Sequence, residues 1–456
     1  MVVMGIDIGT TTISVLVIDG NSGEFLDRVT ISHQSFLKGD PDCSKIQSPK
    51  KLWSLTEQTV NEMIQRHGKP ACIGMTGQMH GFLYVDDCGE AVSPLYTWQD
   101  GLGNERMEDG RTCAEILREK AGTASAGYGL TTHYYLRKKG RIPHNARKMT
   151  TISDYIGMKL CGSTRPCIAK DMAASWGCFD LESCDFLRAE LEELGVELSY
   201  LPEVLPEHSV VGTTSGNFPK GIPVIASLGD NQASVIGSVK NLSDTVLINI
   251  GTGSQVSFCT DQYIKAQGAI ELRPCTGEQY LMAGSGLCGG RAYAMLEQFY
   301  REASGIKDDS LYQKMEDQAR DFIKTYGKEA AWKIRTTFSG TRSNPKERGS
   351  ISSIGVENFC PGAMTLGMIQ GILEELFEMY QEMCRMTGIK AAYLVGSGNG
   401  LRRNSLMREM AEDLFGMPMQ IPACSEEAAY GAALQAMVSA GLEDSLENAQ
   451  KKIQYE

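Results

Sequence analysis

At 456 residues the chain exceeds the size at which one hydrophobic core stops growing, so two domains are expected, and 42% apolar with 22% charged residues excludes a disordered chain. A formal net charge of -12 at pH 7 sets up a field that repels a nucleic-acid backbone and excludes nucleic acid as an expected partner. The fourteen cysteines run from Cys43 to Cys424 without a CxxC pair, and Cys161 and Cys167 lack the further ligands of a zinc site, so reduced, packed thiols are expected.

The opening MVVMGIDIGTTTISVLVID carries no basic leader, and Asp7 with three threonines interrupts its apolar run. Neither a signal peptide nor a membrane span is expected, and the location expected is cytoplasmic. Residues 2 to 8 are rich in β-formers, Gly9, Thr10, Thr11 and Thr12 form a turn, and Ile13 to Ile18 resume as a strand, which spells a hairpin. Its tip offers amides and three successive hydroxyls, all suited to phosphate oxygens; an ordinary threonine-rich turn is the plainer reading.

Next in the chain, Gln78, Met79 and His80 stand between Gly77 and Gly81, glycines that let backbone approach a ligand. Gln78 and His80 are neutral hydrogen-bonders suited to a polyhydroxy substrate, and Met79 can lie against an apolar sugar face, although a lone histidine is more often structural. Trp98, with Gln99 and Asp100, is a second substrate-wall candidate or a buried tryptophan capping a turn. The basic cluster Arg137, Lys138, Lys139 and Arg141 reads as a solvated end. The strand PVIASLGD then delivers Asp230 and Asn231 at its end, where ligands bind in α/β sheets. Asp230 can take a proton from an attacking hydroxyl while Asn231 holds a neighbouring one, or can cap a helix; the two roles can coexist.

Thr245 to Phe258 repeats the hairpin grammar, with Ile248, Ile250, Gly251 and Thr252 in place of Ile6, Ile8, Gly9 and Thr10, and Gly253 following. So long a spacing implies two copies of one α/β domain, residues 1–240 and 241–456, with phosphates between the hairpins. Asn249 stands where the first copy has Asp7, so Asp7 is the expected Mg²⁺ carboxylate. Leu366, Ile369, Leu373, Leu376, Tyr380 and Met383 keep a helical spacing ahead of the strand AAYLVGSG. The turn after that strand, with Gly396, Gly398 and Gly400, does not match a dinucleotide fingerprint but suits an adenine ring packed on backbone, with Asn399 or Asn404 bonding to the nucleotide. No Walker A loop or protein-kinase signature occurs, so the hairpins must cradle any ATP.

The segments DIGTTT, TGQMHG, TWQDG, LGDNQAS and NIGTGS, with the helix from Gly362 and the glycine turn at Gly396, resemble the FGGY carbohydrate kinases over nearly the whole chain. That family is a branch of the actin, Hsp70 and sugar-kinase superfamily, built from two duplicated RNase H-like domains around a nucleotide cleft. Within it, AGYG, DYIGMKLCGSTRP, MAASWGCF, PKGIPV and GSGNGLRRN are most similar to sedoheptulokinases, which implies sedoheptulose as substrate.

By the same resemblance, Asp7 is the Mg²⁺ carboxylate and Asp230 the base, with Met79, His80 and Asn231 touching the sugar. Thr10 to Thr12 and Thr252 touch phosphate, and Gly398 with Asn404 touches adenosine. The implied activity is transfer of phosphate from MgATP to the terminal hydroxyl of a ketose. Another ketose or polyol kinase, such as a xylulokinase, is the alternative, and an actin- or Hsp70-like ATPase switch without a sugar acceptor is the rival from another class. The sugar and MgATP are the expected partners, and a homodimer stays open.

Overall fold

In the computed structural model the β-branched opening run forms strand β1 (Val2–Ile8), which turns through residues 9–11 into the antiparallel β2 (Thr12–Asp19), with Ile8 opposite Ile13. The structure describes residues 1–456 except Glu207, Ala266, Gln267, Lys307, Asp308, Arg342, Ser343 and Pro345. Five further strands join this first sheet: β3 (Phe25–Ser32), β4 (Ile73–Gly77), β5 (Val210–Thr213), β6 (Pro223–Ile225) and β7 (Leu228–Gly229). Their order is β5-β6-β4-β1-β2-β3, with β7 also on β4. The single strand expected from Pro223 to Asp230 is thus two short ones, and a helix starts at Asp230 itself.

The second sheet holds β8 (Thr245–Ile250), β9 (Ser254–Thr260), β10 (Ile270–Pro274), β11 (Tyr280–Gly286), β12 (Tyr393–Ser397) and β13 (Met419–Gln420), in the order β10-β11-β9-β8-β12-β13. Each sheet has the same centre. The first hairpin strand pairs antiparallel with the second and parallel with a later strand, β1 with β4 and β8 with β12. A long helix precedes each of those parallel strands. Pro49–His67 begins with Pro at its first turn, Ser48 accepting from the Lys51 amide, and ends at Gly68. Pro361–Thr387 buries Leu366, Ile369, Leu373, Leu376, Tyr380 and Met383, the stripe that the spacing predicts, in one core with Val256 and Phe258.

The chain divides into two compact units, one made of Met1–Lys240, Arg273–Glu278 and Glu426–Gln454, the other of Asn241–Leu272, Gln279–Ser425 and Tyr455–Glu456. The first unit therefore takes two segments from late in the chain. One of them contains the helix Glu427–Ser439, whose small residues allow backbone-to-backbone approach: a Cβ on Gly5 would lie 1.9 Å from the Ala429 carbonyl oxygen, and one on Gly74 1.9 Å from that of Ala432. Its Gly431 likewise meets Ala233 of the helix Asp230–Ser238. No helix among the described residues is long and apolar enough to cross a membrane, and none of the fourteen cysteines is joined in a disulfide.

Within the first unit an aromatic core of Phe82, Tyr84, Trp176 and Tyr200 encloses His133, whose Nδ1 lies 2.6 Å from the Tyr84 hydroxyl. Burial, with the Arg137 guanidinium nearby, pushes the His133 pKa from 6.5 down to about 3. The unfolded chain therefore takes a proton below pH 6.5 that the folded chain refuses, and stability is lost as pH falls from 6.5 toward 3. Buried carboxyls such as Asp154, pushed up to about 7, act in the opposite direction, so the His133 contribution shows only by comparison with a variant. In His133→Gln, the loss of unfolding free energy in urea between pH 7 and pH 5 is expected to shrink by about 2 kcal/mol. An unchanged pH dependence would refute this.

Candidate active site

Asp7 sits next to last on β1, opposite Ser14 on one side and Thr76 on the other. Its Oδ1 is buried without a hydrogen-bond partner. Desolvation, then the charges of Asp230 and Glu426, push its pKa up to about 7. Two carboxyl charges thus act on Asp7 in the first unit, and Asp230 itself faces the opposing charge of Arg273, which is only 7% exposed. Glu426 is held by the Thr30 hydroxyl at 3.2 Å and Arg28 at 3.4 Å. Arg273 and Glu426 come from the two late segments of this unit, and no local motif marks either.

Asp230 is the first residue of the helix Asp230–Ser238, whose cap is Gly229 without any side-chain cap bond, so Asp230 does not serve as the N-cap that the sequence also allowed. A carboxylate at that end is favoured by the helix dipole. Its Oδ1 accepts from Asn231 Nδ2 at 3.0 Å. Burial raises its pKa, and the Arg273 charge with the Asn231 hydrogen bonds opposes that rise. The group is a desolvated carboxylate held in place, fit to receive a proton.

Of the residues expected at a sugar wall, Met79 and Asn231 lie at the turn that carries Asp230. Met79 is 3% exposed, and a Cβ on Gly229 would lie 2.7 Å from its sulfur, so Met79 packs against the turn that carries Asp230. Asn231 Nδ2 is 3.6 Å from the same sulfur. His80, at φ 71°, stacks on Tyr128 at 4.5 Å, and its Nδ1 is 2.6 Å from the Ser175 carbonyl oxygen. A carbonyl only accepts, so Nδ1 carries the proton, and in the neutral form of the ring Nε2 is the acceptor nitrogen. Trp98 is 47% exposed rather than buried, and its Nε1 donates to Thr10 Oγ1 at 2.9 Å. Gln78, expected on the substrate, is 1% exposed; its Nε2 donates to Gln47 Oε1 at 3.0 Å and Gly9 O at 3.4 Å, while its Oε1 is buried without a hydrogen-bond partner. Gln47 in turn donates to Thr10 O at 2.7 Å, so this amide pair supports the hairpin tip from behind.

At that tip the Gly9 amide donates to Thr12 O at 2.9 Å and is therefore spent within the turn. The amides of Thr10 and Thr11 make no hydrogen bond within the described residues, while the Thr12 amide belongs to β2. In the second unit the carbonyls of Gly251 and Thr252 accept from the Gly290 and Arg291 amides at 3.0 and 2.9 Å. That anchors the loop to the helix Gly290–Ser304 and leaves the Gly251, Thr252 and Gly253 amides without protein acceptors among the described residues. Asn249 donates to Ser397 at 2.7 Å and so ties β8 to β12.

The glycine turn divides by role. Gly396 lies inside β12, where a Cβ would meet the Met419 sulfur at 2.3 Å, so its lack of a side chain serves strand packing. Gly398, at φ 83°, begins the short helix Gly398–Arg403 against Ile250, with a Cβ excluded at 2.6 Å. Asn399 is exposed on that helix. Asn404 caps the helix Ser405–Phe415, accepting from the Met407 amide at 2.9 Å, so its side-chain oxygen is spent on backbone.

Residues 2–237 match the FGGY family of carbohydrate kinases, N-terminal domain, and residues 246–440 match the C-terminal domain of the same family. The chain belongs to the FGGY carbohydrate kinases. It is therefore a sugar phosphotransferase with the two-domain α/β fold of the actin- and Hsp70-like superfamily. The chain is similar to mouse sedoheptulokinase, 28% identical over 95% of this chain and 96% of the mouse protein. It is also similar to xylulose kinase from Staphylococcus xylosus, 22% identical over 95% of this chain and 89% of that protein. The FGGY fold recurs in gluconate kinase from Lactobacillus acidophilus, with a TM-score of 0.86 and 20% identity over 100% of this chain and 92% of that one.

Proposed function

We propose that this kinase transfers the γ-phosphoryl group of ATP to the terminal hydroxyl of a ketose, sedoheptulose before others. The observation that carries the reaction is the desolvated Asp230 carboxylate, gripped by Asn231 in the same unit as the Thr10–Thr11 amides and the unpartnered Asp7 oxygen. Asp230 receives the hydroxyl proton as the new P–O bond forms and the β,γ-bridging bond breaks, the displaced charge leaving on ADP. Asn231 and the His80 acceptor nitrogen hold neighbouring hydroxyls, Met79 offers an apolar floor, and Trp98 forms a half-exposed wall braced on Thr10. The tip amides of the two hairpins are donors for phosphate oxygens.

The Asp7 oxygen suits a Mg²⁺ ion. Asp7 would hold such an ion through its unpartnered Oδ1, and the ion would offset phosphate charge.

For the sugar, support comes from the mouse sedoheptulokinase match, which spans almost the full length of both chains at higher identity than the xylulose kinase match. Xylulose is the second candidate. ADP release would be followed with sedoheptulose, xylulose, ribulose, fructose, glycerol and no sugar. The highest kcat/KM is expected with sedoheptulose; a value for any other sugar higher by about tenfold, roughly 1.4 kcal/mol of transition-state binding, would move the assignment to that sugar.

A further inference from the structure

A five-residue helix, Lys170–Ala174, and the Ser175 that follows it touch three parts of the first unit's site at once. Asp171 is 4% exposed, and its Oδ2 accepts from the Gly229 amide at 2.7 Å. Ser175 is 5% exposed; its hydroxyl oxygen accepts from the His80 amide at 3.0 Å, and its carbonyl accepts from His80 Nδ1 at 2.6 Å. Lys170 Nζ donates to Gly277 O at 2.6 Å, on the short segment that carries Arg273. Base turn, sugar wall and counter-cation are all tied to six consecutive residues.

The Gly229 contact matters most. The helix that opens with Asp230 lacks a side-chain cap of its own, and Asp171, 58 residues earlier in the chain, accepts the amide at the cap position. From another side Met79 closes on Gly229 so tightly that a Cβ there would meet sulfur at 2.7 Å. The peptide leading into Asp230 is therefore clamped by a charge-assisted hydrogen bond and by packing. We propose that Asp171 is a positioning residue for phosphoryl transfer, holding the Gly229–Asp230 peptide so that the Asp230 carboxylate meets the acceptor hydroxyl, while Ser175 on the same turn sets the His80 ring.

This rests on Asp230 being the base. Keeping a carboxylate this deep has a cost, visible in the Asp171 pKa, which burial pushes up to about 6 against the pull of the Gly229 amide. A side chain needed only to fill space would not carry a carboxyl there.

Asp171→Ala is expected to lower kcat about 10²-fold, the loss that a displacement near 1 Å produces, with the sugar KM changed less than about threefold and ATP affinity unchanged. Asp171→Asn keeps an accepting oxygen and is expected to recover kcat to within about fivefold of the wild type. Asp171→Glu keeps charge and acceptor on a longer arm, and is the variant to use if the alanine form does not fold; its kcat is expected to fall at least about tenfold. Wild-type kcat in the alanine or glutamate variant overturns the proposal. So does an asparagine variant as impaired as the alanine one, or a kcat loss matched by loss of ATP affinity, since either marks general structural damage. If Asp230→Ala is inactive while Asp171→Ala turns over normally, only the positioning role fails; if Asp230→Ala turns over normally, the base reading itself fails.

Discussion

Asp230→Ala is expected to lower kcat by at least ~10²-fold in a protein that still folds and still binds ATP. The carboxylate lies at a helix start that has no side-chain cap bond, so its removal leaves the helix's own backbone-to-backbone hydrogen bonds intact. What disappears is the proposed proton acceptor. Asp230→Asn should be as impaired, because it keeps the shape and the Asn231 neighbour but cannot take a proton. The acid limb of kcat/KM provides a second check. Burial raises the Asp230 pKa above the ordinary 3.8, so activity should fall with decreasing pH at a higher pH than an exposed carboxyl would give. Arg273 opposes that rise, and Arg273→Gln should move the acid limb further upward. A full-rate Asp230→Ala enzyme, or an acid limb that stays put in Arg273→Gln, would remove Asp230 from the chemistry.

The duplicated hairpins were legible because two local signals coincided at each, period-2 apolar strands and a glycine–threonine turn, and because the pattern recurs. The long helix Pro361–Thr387 was legible for the same kind of reason, a stripe of apolar residues at 3.6-residue spacing. The hydrogen bonds of Gln78 behind the turn were not legible because a neutral amide between a strand and a glycine looks the same whether it faces a sugar or the back of a turn. Only burial separates the two, and here it places the amide behind Gly9 and Thr10.

Asn404 shows the same limit, since an asparagine suited to a nucleotide is equally suited to capping a helix, and in this chain its oxygen is used as a cap. Arg273, Glu426 and Asp171 left no local signal. Their roles arise from contacts with residues up to several hundred positions away, and periodicity carries nothing about such contacts. Asp171 immediately precedes the MAASWGCF segment that carries part of the family resemblance, so a signal lay beside it, but only the bond to Gly229 gives it a use.

The largest effect on stability is expected from Gly74→Val. Gly74 lies on β4, and the helix Glu427–Ser439 crosses it with carbonyl and amide groups in direct approach: a Cβ would lie 1.9 Å from Ala432 O, 2.4 Å from Ala432 C and 3.0 Å from Ala433 N. All three neighbours are backbone, so no side chain can swing aside, and the helix itself would have to lift. Overpacking of this kind costs about 3 kcal/mol or more. At roughly 2–4 °C per kcal/mol for a unit of this size, Tm should fall by at least about 6 °C. Gly74→Ala should lie between the valine form and the wild type.

Lifting the helix also disturbs the site, because Glu426, whose charge acts on Asp7, immediately precedes it and the helix Asp230–Ser238 packs on its Gly431. Activity in Gly74→Val should therefore fall even at temperatures where the unit stays folded. A valine variant with wild-type Tm would mean that this crossing is looser than the 1.9 Å approach requires, and that the late segment is not what holds the carboxylates in place.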